Sequence, residues 1–538
     1  MKRLRYFAVI ELALLAYAAA YIVRMSFVID GVRYFTLADD QMISMRYAEN
    51  LANGLGLVWN AGGPRVEGYT NLLWMLYMAI FHALGVPRHL ISVCIELTGV
   101  ACLLLNLVFV RSLALRISNG SHAAALAAVL LTAFYVPLDH WAFQGTEVGI
   151  LALMVTACTW LALRSVGRHE APVGLYVLLG TTTLVRPDML IFAVALVAGT
   201  YALDRSRRNV AIAAAILAAF AAAQTAFRLW YFGYPLPNTY YLKMDGFPFV
   251  RRIAHGLDMA FLFFAESAMF TIILVRGRRR LRETPGTGLL LSIVGLQVLY
   301  SIYVGGDAWE WWGGSNRFIA IAMPLFFVCV AVAAASFKPL SARESAAAGA
   351  FTTASPRFIA GVLIVAFIGN LMALAPYRPL ERLLMIERPL QSNEDEQHVR
   401  AAIALRDASA GDAVVALTWA GAIAYFSERT CIDLLGKSDE RIAHGPMHIS
   451  PQFADRVIPG HSKWDYGYSI GQLQPDVIQA PMYYLTYKLD TPDAYLTNYE
   501  LRRIGDSGWY VRRESRRVGG VPIANDALTP TGAIAAGR

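Results

Sequence analysis

Eleven stretches of this chain are apolar over a length close to or beyond a bilayer crossing, and no other sequence feature restricts the fold as much. They lie at 6–29, 91–110, 122–138, 147–163, 172–185, 189–203, 209–232, 257–275, 287–304, 317–337 and 357–376. A crossing needs roughly 20 apolar residues. In lipid every backbone amide must find a partner within its own segment, so such runs fold as helices. The composition agrees: 57% of the 538 residues are hydrophobic and 16% are charged, whereas a soluble domain carries about 25% charge. The fold class read from the sequence is an α-helical polytopic membrane protein.

The formal net charge of +8 does not point to nucleic acid. Its basic residues gather at the ends of apolar runs (Lys2, Arg3 and Arg5; Arg205, Arg207 and Arg208; Arg276 to Arg282), the pattern of cytoplasmic loops. The five cysteines show no CxxC or His/Cys spacing, so neither a disulfide framework nor a zinc site is indicated. The first run follows a basic start, yet it is long enough to span and has no convincing cleavage site. It reads as an uncleaved first helix.

Loop chemistry orients the runs. One set of loops is basic: 111–121, 164–171 (Arg164, Arg168), 204–208, 276–286 and 338–356. The other set (30–70, 139–146, 186–188, 233–256 and 305–316) carries acids, aromatics and glycines. The two sets alternate across the membrane if 71–86 does not cross. That run, NLLWMLYMAIFHALGV, is short and has Trp and Tyr near its start, which suits a helix lying at the interface. The expectation is eleven spans, the N-terminus inside, and a transmembrane domain over 1–378 with a first outer loop at 30–90. Residues 379–538 are dense in charge, Pro and Gly and read as a soluble α/β domain outside the membrane, with a frayed end from Gly519.

Polar residues near a membrane are costly and mark function. In the first outer loop Asp39 and Asp40 adjoin the start of a helical pattern. Adjacent acids raise one another's proton affinity, and a carboxylate there can act as a general base; equally, the pair can simply begin the helix. Gln144-Gly145-Thr146-Glu147 opens another helix, where an acid favours the dipole. Arg186 lies in a break between two apolar half-segments; it either pairs with Asp188 or holds an anion. Tyr234 to Lys243 forms an aromatic loop with one cation. Asp307, Trp309, Glu310, Trp311, Trp312 and Arg317 together suit sugar stacking and phosphate pairing, although Trp belongs at interfaces in any case.

Eight segments in order resemble the GT-C superfamily of integral-membrane glycosyltransferases: DDQMISMRYAENLANGLGLVWN, RVEGYTNLLW, GTEVGILAL, LVRPDML, FGYPLPNTYYLK, VGGDAWEWWGGSNRF, AGAIAYFSERTCIDLLGKSD and PGHSKWDYGYSIGQLQPDVI. Within it the pattern is most similar to bacterial terminal arabinofuranosyltransferases that take decaprenyl-phosphate arabinose. The resemblance implies a polyprenyl-phosphate sugar as donor and a cell-envelope glycan or protein as acceptor. It places the active site and tail on the outer face of a bacterial cytoplasmic membrane. It implies a single inverting displacement with Asp40 or Asp39 as base, Asp40 being favoured. Arg186, Lys243 and Arg317 would hold the donor phosphate. Glu67, Tyr69, Asn71, Asn238, Asp307, Trp309, His461 and Lys463 would line the sugar and acceptor sites. No cofactor is certain; a divalent metal held by Asp40 and Glu147 is an option the superfamily implies. The aromatic insert at 309–312 is longer than the family's pattern and leaves the acceptor open. Other readings of the same residues are a lipid-phosphate mannosyl- or hexosyltransferase, a transporter for a lipid-linked sugar, and a binding protein without chemistry.

Overall fold

The computed structural model describes residues 2–167, 170–310, 313–335, 356–452, 457–479 and 492–522. Trp311, Trp312, Arg168, most of the basic loop at 338–356 and the end of the chain from residue 523 lie outside the described residues. The chain divides into two compact units. One comprises Met1–Val23, Glu96–Ala223 and Gly256–Glu387; the other comprises Arg24–Ile95, Gln224–His255 and Arg388–Arg538. The sequence reading groups the first outer loop with the transmembrane domain; by packing, that loop belongs with the tail in the second unit.

Each of the eleven apolar runs carries helix. Among the described residues five helices are long and apolar enough to cross a membrane: Tyr6–Met25, Arg88–Ile117, Val148–Ser165, Arg207–Tyr231 and Thr287–Val304, or up to seven if two bent pairs each count as one span. Several others are shorter, including Val173–Val185, Met189–Asp204 and Met323–Ala334. The chain is thus a multi-pass membrane protein. In the first unit apolar side chains such as Leu12, Phe261, Leu299 and Ile364 are exposed. Water would penalise that, and a bilayer does not.

The bends have local causes. His122–Ala133 and Val136–Phe143 meet at 53°, and Pro137 stands in the first turn of the second helix. A proline there cannot continue the preceding ladder. Asn370 answers both sides of the break: its Oδ1 accepts from the Val136 amide at 2.9 Å, and its Nδ2 donates to the Phe134 carbonyl. The run at 317–337 is similarly divided into Arg317–Ala320 and Met323–Ala334, with Asn316 capping the first piece through the amides of Phe318 and Ile319.

The second unit holds a short antiparallel pair, β1 (Phe27–Ile29) and β2 (Val32–Tyr34), followed by the helix Asp39–Ala52. The Leu72–Ala83 helix has 12 residues, about 18 Å of rise against roughly 30 Å of hydrocarbon, and is too short to span. Downstream, β3 (Val414–Leu417), β4 (Thr430–Asp433), β5 (Val477–Gln479), β6 (Tyr499–Ile504), β7 (Ser507–Arg512) and β8 (Val521–Pro522) form one sheet in the order β4-β3-β5-β7-β6-β8. β3 runs parallel to β4 and β5, and the remaining pairings are antiparallel. Ala416, Ile432, Leu434, Trp464, Tyr466, Ile470, Ile478 and Tyr499 pack together as its core. The turn after β4 delivers Asp433 to Asp439 beside the start of the Asp39–Ala52 helix, within the same unit.

Candidate active site

Asp39 and Asp40 are the first two residues of their helix, where amides lacking partners and the helix dipole favour negative charge. The two carboxyls then part company. Asp39 is 4% exposed. Its Oδ1 accepts from the Ala422 amide at 2.9 Å, while its Oδ2 is buried with no hydrogen-bond partner. Burial raises this carboxyl to about 6, against the pull of the Lys437 ammonium and the Ala422 amide. The backbone around it has no spare room. A Cβ at Gly421 would stand 2.1 Å from the Asp39 carbonyl oxygen, so only glycine fits.

Asp40 keeps 19% of its side chain exposed, and its Oδ1 accepts from Lys437 Nζ at 2.6 Å. Burial works against the charge on Lys437, yet Asp40 and Asp39 together hold its ammonium above the ordinary lysine range. The loop that presents Lys437 is clamped from two directions. Asp433 accepts from the amides of Leu435, Gly436 and Ser438 at 3.0, 3.1 and 2.7 Å. Asn238 donates through Nδ2 to the carbonyls of Gly436, Lys437 and Asp439 at 2.9, 3.0 and 3.3 Å. Gly68 lies against the same loop, and a Cβ there would stand 2.9 Å from the Lys437 carbonyl and 2.5 Å from Ser438 Oγ.

Two further groups of the expected site fall beside this pair. His461 is buried, and its Nδ1 lies 3.2 Å from the Pro459 carbonyl. Burial, reinforced by the Lys437 ammonium, pushes its imidazole down to about 3, so it is neutral at neutral pH. Lys243 lays its stem along Gly460, whose Cβ would meet Lys243 Cε at 3.1 Å, next to His461 in sequence. Asp39, Asp40, Lys437, His461 and Lys243 therefore form one cluster of titratable side chains in the second unit. Sequence reasoning identified four of the five. Lys437 lay in one of the resembling segments, between Asp433 and Asp439, but nothing local marked it.

Of the remaining expected residues in this unit, Glu67, Asn71 and Lys463 spend their polar atoms within the fold, whereas the buried Tyr69 hydroxyl has no hydrogen-bond partner among the described residues. Glu67 is paired with Arg228 at 2.8 Å, both buried. Asn71 donates to Gln41 Oε1 at 2.8 Å and accepts from Ser44 Oγ at 2.9 Å. Lys463 donates to the carbonyls of Ala443 and Tyr241 at 2.8 and 3.1 Å. Tyr69 is buried edge-on to Tyr47, with ring centroids 4.9 Å apart. Arg46, also missed, ties the first loop to the tail: its guanidinium donates to the carbonyls of Trp59 and Arg429, both at 2.6 Å, to Asn60 Oδ1 at 2.8 Å and to the Ala424 carbonyl.

In the first unit, Arg186 makes a two-pronged pair with Asp188 at 3.0 and 2.6 Å and lies 3.7 Å from Glu147. Arg317 grips Asp307 in the same manner at 2.7 and 2.6 Å, and Trp309 is buried. The described residues contain no group of three or more His, Cys, Asp or Glu side chains set to hold a metal. Glu147 is answered by a guanidinium and Asp40 by an ammonium.

Comparison with known proteins bears on both units. Residues 388–519 match a family described as a domain of unknown function (DUF8728). The chain is 30% identical over 220 residues to the terminal beta-(1->2)-arabinofuranosyltransferase of Mycobacterium tuberculosis, a match covering 38% of this chain and 34% of that protein. The chain thus spans about a third of that relative's length. Among solved structures it is similar to the archaeal oligosaccharyltransferase AglB of Archaeoglobus fulgidus, in complex with an inhibitory peptide and a dolichol-phosphate. There the TM-score is 0.54 at 13% identity, over 93% of this chain and 74% of that one. It is also similar to ArnT of Cupriavidus metallidurans bound to undecaprenyl phosphate, with a TM-score of 0.53 at 13% identity over 94% and 98% of the two chains. The chain therefore has the GT-C fold shared by AglB and ArnT, and resembles a terminal arabinofuranosyltransferase over part of its length.

Proposed function

We propose that this protein is a GT-C glycosyltransferase that moves a sugar from polyprenyl phosphate to a hydroxyl of a cell-envelope glycan or protein. Arabinofuranose is the sugar we favour, on the partial likeness to the mycobacterial enzyme. The fold shared with proteins solved with dolichol-phosphate and undecaprenyl phosphate supports a lipid-phosphate donor. We further propose eleven spans, with the acidic dyad and the sheet-bearing tail at the outer face of a bacterial cytoplasmic membrane.

One observation carries the reading: of two adjacent acids at a helix start, one is sealed and the other stays accessible beside a lysine ammonium. Asp40 is then the base and Asp39 its buried support. The acceptor hydroxyl gives its proton to Asp40 while its oxygen bonds to the anomeric carbon. The bond from that carbon to the phosphate oxygen breaks, its electron pair leaves with polyprenyl phosphate, and the anomeric configuration inverts. Lys243 is our candidate for the donor phosphate in the second unit, and Arg186 and Arg317 are the anion-binding candidates of the first. For the two arginines this means exchanging a carboxylate for a phosphate, which a guanidinium also grips in two-pronged fashion.

The test is incubation of purified protein with polyprenyl-phosphate arabinose and hexose donors plus acceptor, with released lipid phosphate followed by mass spectrometry. Asp40→Asn should reduce transfer by about 10²- to 10⁴-fold while donor binding persists. An Asp40→Asn protein with parental turnover removes Asp40 as the base, and an inert wild type removes the transferase.

A further inference from the structure

We propose that the Lys437 ammonium is the resident counter-cation of the first-loop dyad, standing where a divalent ion would otherwise be required, so that transfer needs no added metal. This rests on the transferase reading. Two neighbouring carboxylates that must work beside an anionic lipid phosphate need positive charge next to them. Here that charge is supplied by the chain itself, 2.6 Å from Asp40 Oδ1, on side chains only 12% and 19% exposed. This is not a mobile surface pair. The lysine's own loop is fixed through Asp433, Asn238 and the close approach of Gly68, so the charge is preorganised before any ligand arrives. No group of three or more metal-holding side chains occurs among the described residues, and within the second unit it is an ammonium, not a further acid, that meets Asp40.

An ammonium offers three N–H donors from one point charge. One holds the base carboxylate, which leaves the others for a phosphate oxygen of the donor. In the balanced step the acceptor proton passes to Asp40, the new C–O bond forms, and the C–O bond to phosphate breaks. Lys437 keeps its proton throughout and offsets first the carboxylate and then the negative charge gathering on the departing phosphate. Lys437 is thus a positioning and charge-balancing residue for Asp40.

The experiment uses the full-length purified protein with Mn2+ as probe and has two independent readouts. In the transfer assay, wild type dialysed against EDTA should retain its rate. Lys437→Met should lose about a hundredfold or more and recover part of that with Mn2+. In calorimetry, wild type and Lys437→Arg should bind no Mn2+. Lys437→Met should acquire a site, which adding Asp40→Asn abolishes. Wild-type transfer abolished by EDTA overturns the proposal and needs no variant to be folded. A Lys437→Met protein that turns over normally, or whose Mn2+ binding equals that of wild type, shows a merely structural pair and overturns it too. If wild type accepts no polyprenyl-phosphate sugar, the transferase reading fails separately, and Mn2+ binding alone decides the role of Lys437.

Discussion

Asp39 and Asp40 share a residue type and a helix turn, yet burial gives them different chemistry. Because Asp39 is raised from 3.8 to about 6, the folded protein holds a proton between those pH values that the unfolded chain has released. This group therefore makes stability fall as pH rises from about 4 to about 6, by on the order of 2–3 kcal/mol in all, and the penalty persists above that window. Asp39→Asn removes the charge. Its melting temperature relative to wild type should climb with pH across this window and then level off. A difference that does not vary with pH would mean that Asp39 titrates like an exposed acid. Asn238 poses a simpler case. Asn238→Ala leaves the carbonyls of Gly436, Lys437 and Asp439 without their donor. The expected cost is about 1–3 kcal/mol of stability, with a drop in turnover as Lys437 loses its fixed position; thermal melting and the transfer assay report the two effects.

At the level of elements, the contact between the Asp39–Ala52 helix and the tail depends on backbone proximity and on one buried guanidinium. Gly421→Ala would drive a methyl to within 2.1 Å of the Asp39 carbonyl, and relief requires the backbone to move. We expect a loss of about 1–3 kcal/mol or more, together with lost transfer. Arg46→Met keeps the stem but strips the donors from the carbonyls of Trp59, Ala424 and Arg429. Each charged hydrogen bond is worth roughly 1.5–3 kcal/mol, so the melting temperature should fall sharply, and protease should cut the tail sooner. A tail as resistant as wild type would show that Arg46 does not anchor it. The spans were legible for a comparable physical reason. Runs such as those carrying Arg88–Ile117 and Arg207–Tyr231 are recognised by length and apolarity, which a bilayer demands of any sequence. The breaks were less visible. The 75° bend between Phe249–Glu266 and Ala268–Arg276 involves neither proline nor glycine, and a run at 317–337 that reads as continuous is interrupted after Ala320.

For the whole molecule, the second unit is assembled from three distant stretches of chain, and the tail supplies the cation of the dyad. A protein ending at residue 387 should therefore insert in the membrane but show no transfer, even with Asp40 intact; measurable transfer would remove Lys437 and the tail from the site. Accessibility labelling at position 40 should find it reachable from the non-cytoplasmic face. By itself the sequence determined that this chain lives in a membrane, roughly where its helices run, and that two acids at the start of one helix are its strongest chemical feature. All of these follow from short-range properties: hydrophobic length, the sign of loop charge, and the adjacency of two carboxyls. Only the tertiary structure decided which acid is sealed and which is open. It also decided that Glu67 is spent on Arg228, 161 positions away, and that the ammonium facing Asp40 comes from 397 positions downstream. Such pairings depend on how the chain closes through space, and burial and long-range partners are what set the charge state of each group.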